Sequence, residues 1–315
     1  TLQDLLKNPH DENLFEYYAT AQLALVDAAE GKTTPLGRPA IFETAEPSPD
    51  GKLLLVARVV RPFSYLQAAS AFPKEVEVWD RAGKLVHKLV SLPLADQVPV
   101  EGVPVGPRLY HWRPSAPATV GWVEALDGGD PKKNVPHRDR VMLRTAPFDA
   151  PAVEVLRTEQ RTTGYDWGER GVLLVREFER RRLWRRVFLV DPDQGAPARI
   201  AWSLSARDRY QDPGDPVTRP TAGGQKVIIQ EGDWIYLNGT GSTPQGDRPF
   251  LDRYHWKTGQ TERLFRSAPE GYEKVEGMVG AGGEVWLTRR ESRTGPPNYF
   301  VRTGGKTEAR ELTRF

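Results

Sequence analysis

The residues best suited to chemistry are Arg61, Phe63 and Tyr65, which lie in the insert between positions 61 and 74. A guanidinium group beside aromatic rings can donate parallel hydrogen bonds to a carboxylate while the rings bury the apolar part of a ligand. The insert therefore predicts a substrate-binding surface for an acidic group. An alternative of equal weight is that these aromatic side chains cover the core of the strands that the insert connects.

Patterns typical of catalytic and metal-binding sites do not occur in the sequence. No Gly-x-Ser-x-Gly segment supplies a nucleophile elbow, and the five histidines are dispersed without a zinc-binding spacing. The chain has no cysteine, which excludes disulfides, thiolate catalysis and cysteine-bound zinc. We therefore expect no catalytic residue, no metal and no cofactor. The neighbours Arg138 and Asp139 are interpreted as a structural ion pair.

The charge pattern gives no support for a nucleic-acid or membrane partner. The segment 180–186 contains five arginines, but the net charge of all 315 residues is only +2. A solvated strand edge is the better interpretation of this run. No apolar stretch has membrane-spanning length and no signal peptide is evident. These features are typical of a soluble protein, and they leave cytoplasmic, periplasmic and secreted locations open.

The segment 40–89 indicates how the candidate residues are positioned. It reads as four antiparallel strands joined by turns, with a tight turn at Ser48–Gly51 and a hairpin turn at Arg81–Lys84. The predicted strands are Ala40–Thr44, Lys52–Val60, Glu75–Asp80 and Leu85–Leu89. Equivalents of the second strand recur at Ala118–Leu126, Gly171–Glu179, Lys226–Asn238 and Gly283–Glu291. Five four-stranded units at a spacing of roughly 50–65 residues predict a β-propeller.

The first forty residues depart from this repeat. The segment 11–18 predicts a short helix with an acidic first turn. The segments 22–28 and 33–36 are interpreted as the last two strands of an earlier blade. The expectation is therefore a single propeller domain over 1–315, incomplete at its N-terminal side, with half a blade and five whole ones. Its open edges predict an open arc of blades or a homo-oligomer, because unpaired strands promote further pairing.

Several long segments carry a specific resemblance. They are LQDLLKNPHDENLFEYYATAQLAL at 2–25, RPFSYL at 61–66, FPKEVEVWD at 72–80, LPLADQVPV at 92–100, EALDGGDPKK at 124–133, DRYQDPGDP at 208–216 and GSTPQGDRPFLD at 241–252. With these segments, the chain resembles the propeller part of the glutamyl endopeptidase branch of the prolyl oligopeptidase family of serine peptidases. The resemblance implies a truncated seven-bladed propeller that lines a chamber and filters peptide substrates, such as those cleaved after Glu. It also implies a partner, an α/β-hydrolase domain that follows in sequence and holds the Ser-Asp-His triad, so that this chain alone is inactive.

Two other functions compete with this one. A free-standing propeller could act as a protein-interaction scaffold, which requires complete blades and a strand exchange between the termini. A propeller enzyme with its own channel site requires clustered carboxylates or metal ligands at strand starts, and the sequence shows no such cluster.

Overall fold

The computed structural model describes residues 5–195, 197–280, 283–306 and 308–315. Leu2, Gln3 and Asp4, which begin the resembling segment 2–25, lie outside the described residues. The chain divides into two compact units, Thr1–Gln160 and Arg161–Phe315. Among the described residues, no helix combines the length and the apolar character needed to cross a membrane.

One helix, α1 (Pro9–Ala19), precedes the strands of the first unit. Asn8 caps it, because its side-chain oxygen accepts a hydrogen bond of 3.0 Å from the Asp11 backbone N–H. Pro9 occupies the first turn, where its missing N–H costs nothing, and Asp11 and Glu12 complement the helix dipole there. The helix predicted near residues 11–18 is confirmed.

The first sheet contains five antiparallel strands in chain order. They are β1 Thr20–Val26, β2 Thr33–Pro47, β3 Leu53–Val59, β4 Lys74–Asp80 and β5 Leu85–Leu92. The predicted turn at Ser48–Gly51 is present, with Gly51 at φ +68° and its N–H bonded to the Ser48 carbonyl at 2.8 Å. The core of the predicted first blade is therefore confirmed.

Segments 22–28 and 33–36 overlap β1 and β2, which are adjacent antiparallel strands. The strand β2 is long, since it pairs with β1 over Thr33–Ile41 and with β3 over Ile41–Pro47. It therefore contains both the segment 33–36 and the predicted strand Ala40–Thr44, and it continues through Gly37 at a positive φ of +67°. The assignment of the two segments to half of an earlier blade stays a prediction.

The second sheet completes the first unit. Its strands are β6 Arg108–Trp112, β7 Thr119–Ala125, β8 Asp139–Thr145 and β9 Val153–Thr158. They pair antiparallel in chain order, as predicted from the repeat.

Among its described residues, the second unit contains two four-stranded antiparallel sheets, one five-stranded sheet and two short ribbons. The third sheet consists of β10 Arg161–Trp167, β11 Leu173–Glu179, β12 Trp184–Val190 and β13 Arg199–Ser205. The fourth sheet and its ribbons consist of β14 Asp215–Pro216, β15 Thr218–Pro220, β16 Lys226–Ile228, β17 Gln230–Glu231, β18 Trp234–Gly239, β19 Ser242–Thr243, β20 Gly246–Asp247, β21 Phe250–His255 and β22 Thr261–Arg266. The fifth sheet consists of β23 Tyr272–Met278, β24 Val285–Glu291, β25 Asn298–Thr303 and β26 Ala309–Glu311.

The fourth sheet departs from the predicted repeat. The segment 226–238 was predicted as one strand, but it forms β16, β17 and β18. Gly232, at φ +57°, turns the chain so that β17 folds back on β18, while β16 pairs with β15 instead. The Glu-Gly-Asp sequence at 231–233 provides this turn, since glycine adopts positive φ without steric cost.

The hydrophobic core lies between consecutive sheets within each unit. In the first unit, Leu55 and Val78 of the first sheet share a buried cluster with Val120 and Trp122 of the second sheet. In the second unit, similar clusters join the third sheet to the fourth and the fourth to the fifth. Each fully buried aliphatic side chain contributes about 1.5–3 kcal/mol to this packing. The predicted class, an all-β propeller chain built from four-stranded antiparallel blades, is confirmed, whereas the blade number and the single domain stay predictions.

The long loops occupy equivalent places in their sheets. Residues 60–73 join β3 to β4, residues 126–138 join β7 to β8, and residues 240–249 join β18 to β21. The loops on either side of these strands are shorter, for example 81–84 and 256–260. Because each long loop joins the two central strands of its sheet, the segments best able to contact a ligand lie at one end of that sheet.

Candidate functional site

The insert between β3 and β4 has a defined conformation. Its ends are joined by a hydrogen bond of 2.9 Å from the Val60 N–H to the Pro73 carbonyl. Within it, the Ser64 hydroxyl oxygen accepts hydrogen bonds from the N–H groups of Leu66 at 3.1 Å and Gln67 at 3.2 Å. A short 3-10 helix, Ala69–Ala71, leads back to β4. The side chains of the insert are therefore held in place on the first sheet.

Three phenylalanine rings join the insert to helix α1. Phe63 stacks on Phe72 with ring centroids 5.2 Å apart, and Phe15 of α1 meets both rings edge-on at 5.1 and 5.6 Å. Phe63 and Phe72 are only 8% and 3% exposed. Edge-to-face and offset contacts of this kind contribute beyond the area that they bury. For Phe63, the core-covering alternative therefore describes its place in the structure.

The Arg61 guanidinium lies at the surface and faces the acidic side of α1. Its Nη2 lies 2.7 Å from Glu16 Oε2 and its Nη1 lies 3.3 Å from Glu12 Oε2, and the group sits 4.8 Å from the centre of the Phe63 ring. Hydrogen bonding to Glu16 raises the pKa of Arg61. The side chain remains 45% exposed, so it combines a carboxylate-binding geometry with access from solvent.

Tyr65 faces the same carboxylates. Its side chain is 38% exposed. Partial burial raises the pKa of the Tyr65 phenol, as does the nearby negative charge of Glu12. Arg61 and Tyr65 therefore converge on one acidic group, as the sequence interpretation required.

The structure brings Arg61, Phe63 and Tyr65 together, and their contact with a substrate stays a prediction. The sequence interpretation missed Phe15, Glu12 and Glu16 as neighbours of this surface. The spacing of the two glutamates, four residues apart, places them on one helix face. Nothing in their spacing could have indicated a partner about fifty positions away.

Arg138 and Asp139, which the sequence interpretation assigned a structural role, both form ion pairs in the structure. Arg138 Nη1 lies 2.9 Å from Asp127 Oδ2, and Asp139 pairs with Arg108. Asp127 and Asp139 are both buried, which makes these ion pairs part of the framework of the second sheet.

The arginine-rich hairpin of the third sheet is extensively paired with carboxylates. The pairs are Arg176 with Asp166, Arg182 with Glu179, Arg185 with Asp212, and Arg186 with Glu177. Such pairing neutralises much of the positive charge, in agreement with the solvated-edge interpretation. Within the described ranges, no group of three or more His, Asp or Glu side chains is arranged to hold a metal ion.

Two curated plant proteins are similar to this chain over its whole length. The chain is 36% identical over 334 residues to a protein of Oryza sativa subsp. japonica named probable glutamyl endopeptidase, chloroplastic, covering 100% of this chain and 36% of that protein. It is also 36% identical over 335 residues to the Arabidopsis thaliana protein of the same name, covering 35% of its length. The chain thus spans about a third of the length of these relatives. No protein-family model matches it.

Solved structures of peptidase propellers are similar in outline. The β-propeller domain of the trilobed protease from Pyrococcus furiosus matches 87% of this chain and 71% of its own, with a TM-score of 0.44 and 12% identity. Prolyl oligopeptidase B from Galerina marginata matches 93% of this chain and 39% of its own, with a TM-score of 0.49 and 13% identity. These likenesses concern the fold, and no argument about function rests on them.

The relatives confirm the resemblance inferred from the separate sequence segments. The identity extends over every sheet and over the helix, so it does not depend on the generic repeat of a propeller. This chain is thus similar, over its whole length, to a segment that makes up about a third of each of two proteins named glutamyl endopeptidase.

Proposed function

We propose that this chain is the non-catalytic propeller segment of a serine peptidase, and that it gates the passage of peptides to an α/β-hydrolase domain of the same protein. The observation that carries this proposal is the 36% identity over the whole chain to proteins named glutamyl endopeptidase, of which it spans about a third. The remaining length of such relatives is ample for a hydrolase domain. The catalytic triad belongs to that domain, and this chain by itself is inactive.

The gating role follows from the geometry of blades. Four-stranded blades set around an axis leave a central channel, and the channel admits an extended peptide but excludes a folded protein. The peptidase therefore acts on peptides and unfolded segments. Its long loops, including the insert at 60–73, join strands within single sheets, and we expect an entering peptide to contact them first.

Selectivity for acidic peptides is assigned to the surface near α1. Arg61 offers a bidentate cation and Tyr65 offers a hydroxyl donor, and the two converge on carboxylate oxygens. A glutamyl side chain is an anion with two acceptor oxygens, and both groups can donate hydrogen bonds to it. Its amide analogue carries no charge and does not offer two acceptor oxygens, so both groups discriminate against it. The substrates are therefore peptides that contain glutamate.

The test uses the full-length protein from the native host. Two short fluorogenic peptides differ only by Glu or Gln before the cleaved bond, and the Glu sequence is also placed inside a stably folded host protein. We expect cleavage of the Glu peptide, cleavage of the Gln peptide slower by about a hundredfold or more, and cleavage of the host only after it is unfolded. This chain alone should cleave none of them.

Two results would overturn the proposal. Cleavage of the folded host as fast as the free peptide would remove the gating role. A native protein that ends with this chain and hydrolyses no peptide would favour the interaction-scaffold alternative.

A further inference from the structure

Helix α1 places glutamate side chains against the surface formed by Arg61, Phe63 and Tyr65. Arg61 is paired with both Glu16 and Glu12, and the Tyr65 phenol lies close enough to Glu12 for its charge to raise the phenol's pKa. The two glutamates lie one helical turn apart and reach the same guanidinium. The structure therefore shows this surface engaged with glutamyl carboxylates supplied by its own chain.

An apolar residue accompanies the carboxylates. Phe15, which directly precedes Glu16, inserts its ring against both Phe63 and Phe72. The surface thus contacts an aromatic residue and the glutamate that follows it. A peptide ligand with an aromatic residue before glutamate would present the same two groups in the same order.

The helix is attached by few contacts. None of its residues is buried, and Tyr17 and Tyr18 are 76% and 77% exposed. Besides Phe15, the small side chain of Ala19 packs against the same cluster. The ion pairs of Glu12 and Glu16 lie at the protein surface, where such pairs are individually weak and screened by salt. A segment held in this way belongs to the low-stability end of a fold and can open without unfolding the sheet.

We propose that the surface formed by Arg61, Phe63 and Tyr65 is a binding site for peptides with an aromatic residue followed by glutamate, and that α1 occupies this site as an internal competitor. The helix leaves when such a peptide binds, and it returns when the site is free. This proposal rests on the proposed function for its biological meaning, because it gives the peptidase a reversible block against non-acidic peptides.

The first experiment measures peptide affinity with the whole chain. The probe is a fluorescent peptide of sequence NLFEY, copied from residues 13–17, and a second peptide carries Gln in place of Glu. The double variant Glu12→Gln and Glu16→Gln weakens the competitor while retaining the size of both side chains. Glu30→Gln, at an exposed site outside α1, is the matched control.

We expect the double variant to bind the NLFEY peptide about threefold to thirtyfold more tightly than the unchanged chain, the range that two exposed ion pairs span. Glu30→Gln should leave the affinity for NLFEY unchanged, and adding Arg61→Met to the double variant should abolish the gain in affinity. The Gln peptide should bind weakly to every variant. Equal affinity in the double variant and the control, with thermal unfolding showing both folded, would overturn the proposal.

A second readout reports the departure of the helix. Backbone N–H groups of α1 (Pro9–Ala19) exchange with solvent faster when the helix leaves the sheet. Saturating NLFEY peptide should speed hydrogen exchange across α1 of the unchanged chain, whereas the Gln peptide should not. Unchanged or slower exchange in α1 would contradict displacement.

The outcomes separate this proposal from the proposed function. One outcome is that the double variant gains affinity for NLFEY, while Arg61→Met in the full-length protein leaves the preference for Glu over Gln peptides unchanged. In that case α1 does compete for the site, but the site does not select substrates. If Arg61→Met removes that preference but the double variant gains nothing, the substrate role stands and the competitor is refuted.

Discussion

The substitution Glu273→Gln should measurably destabilise the second unit, because one buried carboxylate joins three strands of the fifth sheet. Glu273 on β23 is only 4% exposed. It accepts hydrogen bonds from Arg302 at 2.6 and 2.9 Å, from Arg290 at 2.9 Å and from the Thr288 hydroxyl at 2.6 Å. Glutamine keeps the volume but removes the charge and places an N–H₂ group towards the arginines.

The magnitude follows from the burial of this cluster. Removing one partner from a fully buried ion pair costs about 3–5 kcal/mol. The Arg290 side chain is 42% exposed and can recover hydration, which lowers the expected cost to about 2–4 kcal/mol. For a unit of this size the melting temperature should fall by about 5–15 °C.

The assay is thermal unfolding followed by circular dichroism, with Glu311→Gln as the control. Glu311 lies in the same sheet but pairs with Arg314, whose side chain is 87% exposed. An exposed pair of this kind contributes below about 1 kcal/mol. If the two variants melt within about 1 °C of each other, the conclusion that the buried Glu273 carboxylate stabilises the sheet by joining three strands is refuted.

The effect should also depend on pH. Burial alone would raise the pKa of Glu273, but hydrogen bonds from Arg302, Thr288 and Arg290 outweigh burial and lower it below the ordinary value of 4.5. A lowered pKa in the folded state means that the charged carboxylate stabilises the fold above pH 4.5, and that this contribution is lost as the pH falls through the folded-state value. The difference in melting temperature between the unchanged chain and Glu273→Gln should therefore narrow progressively below pH 4.5.

Two further substitutions, each with a matched control, test local contacts. Gly37 and Gly31 share a φ of +67°, but a Cβ at Gly37 would lie 2.8 Å from the Trp79 ring, while none of the described atoms lies within 4 Å of a Cβ at Gly31. Chemical denaturation should therefore show Gly37→Ala to be more destabilising than Gly31→Ala by about 1–3 kcal/mol. Equal losses of unfolding free energy in the two variants would show that the Trp79 ring moves aside freely. Phe15→Ala should release α1 and raise hydrogen exchange across the helix, whereas Leu14→Ala, at a side chain 39% exposed, should leave exchange unchanged. Similar exchange in both variants would contradict the anchoring role of Phe15.

Local patterns in the sequence were sufficient to predict most strands and the helix. The strands β3, β4 and β7 follow apolar or alternating runs bounded by turn residues, and the structure places them within one or two residues of the prediction. The clearest error concerns Gly232, which marks a turn between β17 and β18, whereas the segment 226–238 was predicted as one strand.

The candidate surface was only partly predictable. The chemistry of Arg61 and Tyr65 was evident from residue type, and their grouping is observed. Their neighbours on α1 could not be inferred. Contacts between residues 45 and 49 positions apart in the sequence depend on how the helix packs and leave no periodic signal. The same limit explains why the ion pair of Arg138 with Asp127, across the loop, was not predicted.

The most direct test of the central claim is the size and reactivity of the native product that contains this chain. Protein captured from the native host with antibodies against the chain would be analysed by intact mass and by labelling with a fluorophosphonate probe for active serines. The account predicts a product close to three times the 35.4 kDa of this chain, with the label on a serine outside it. A product of about 35.4 kDa that takes up no label would contradict the account.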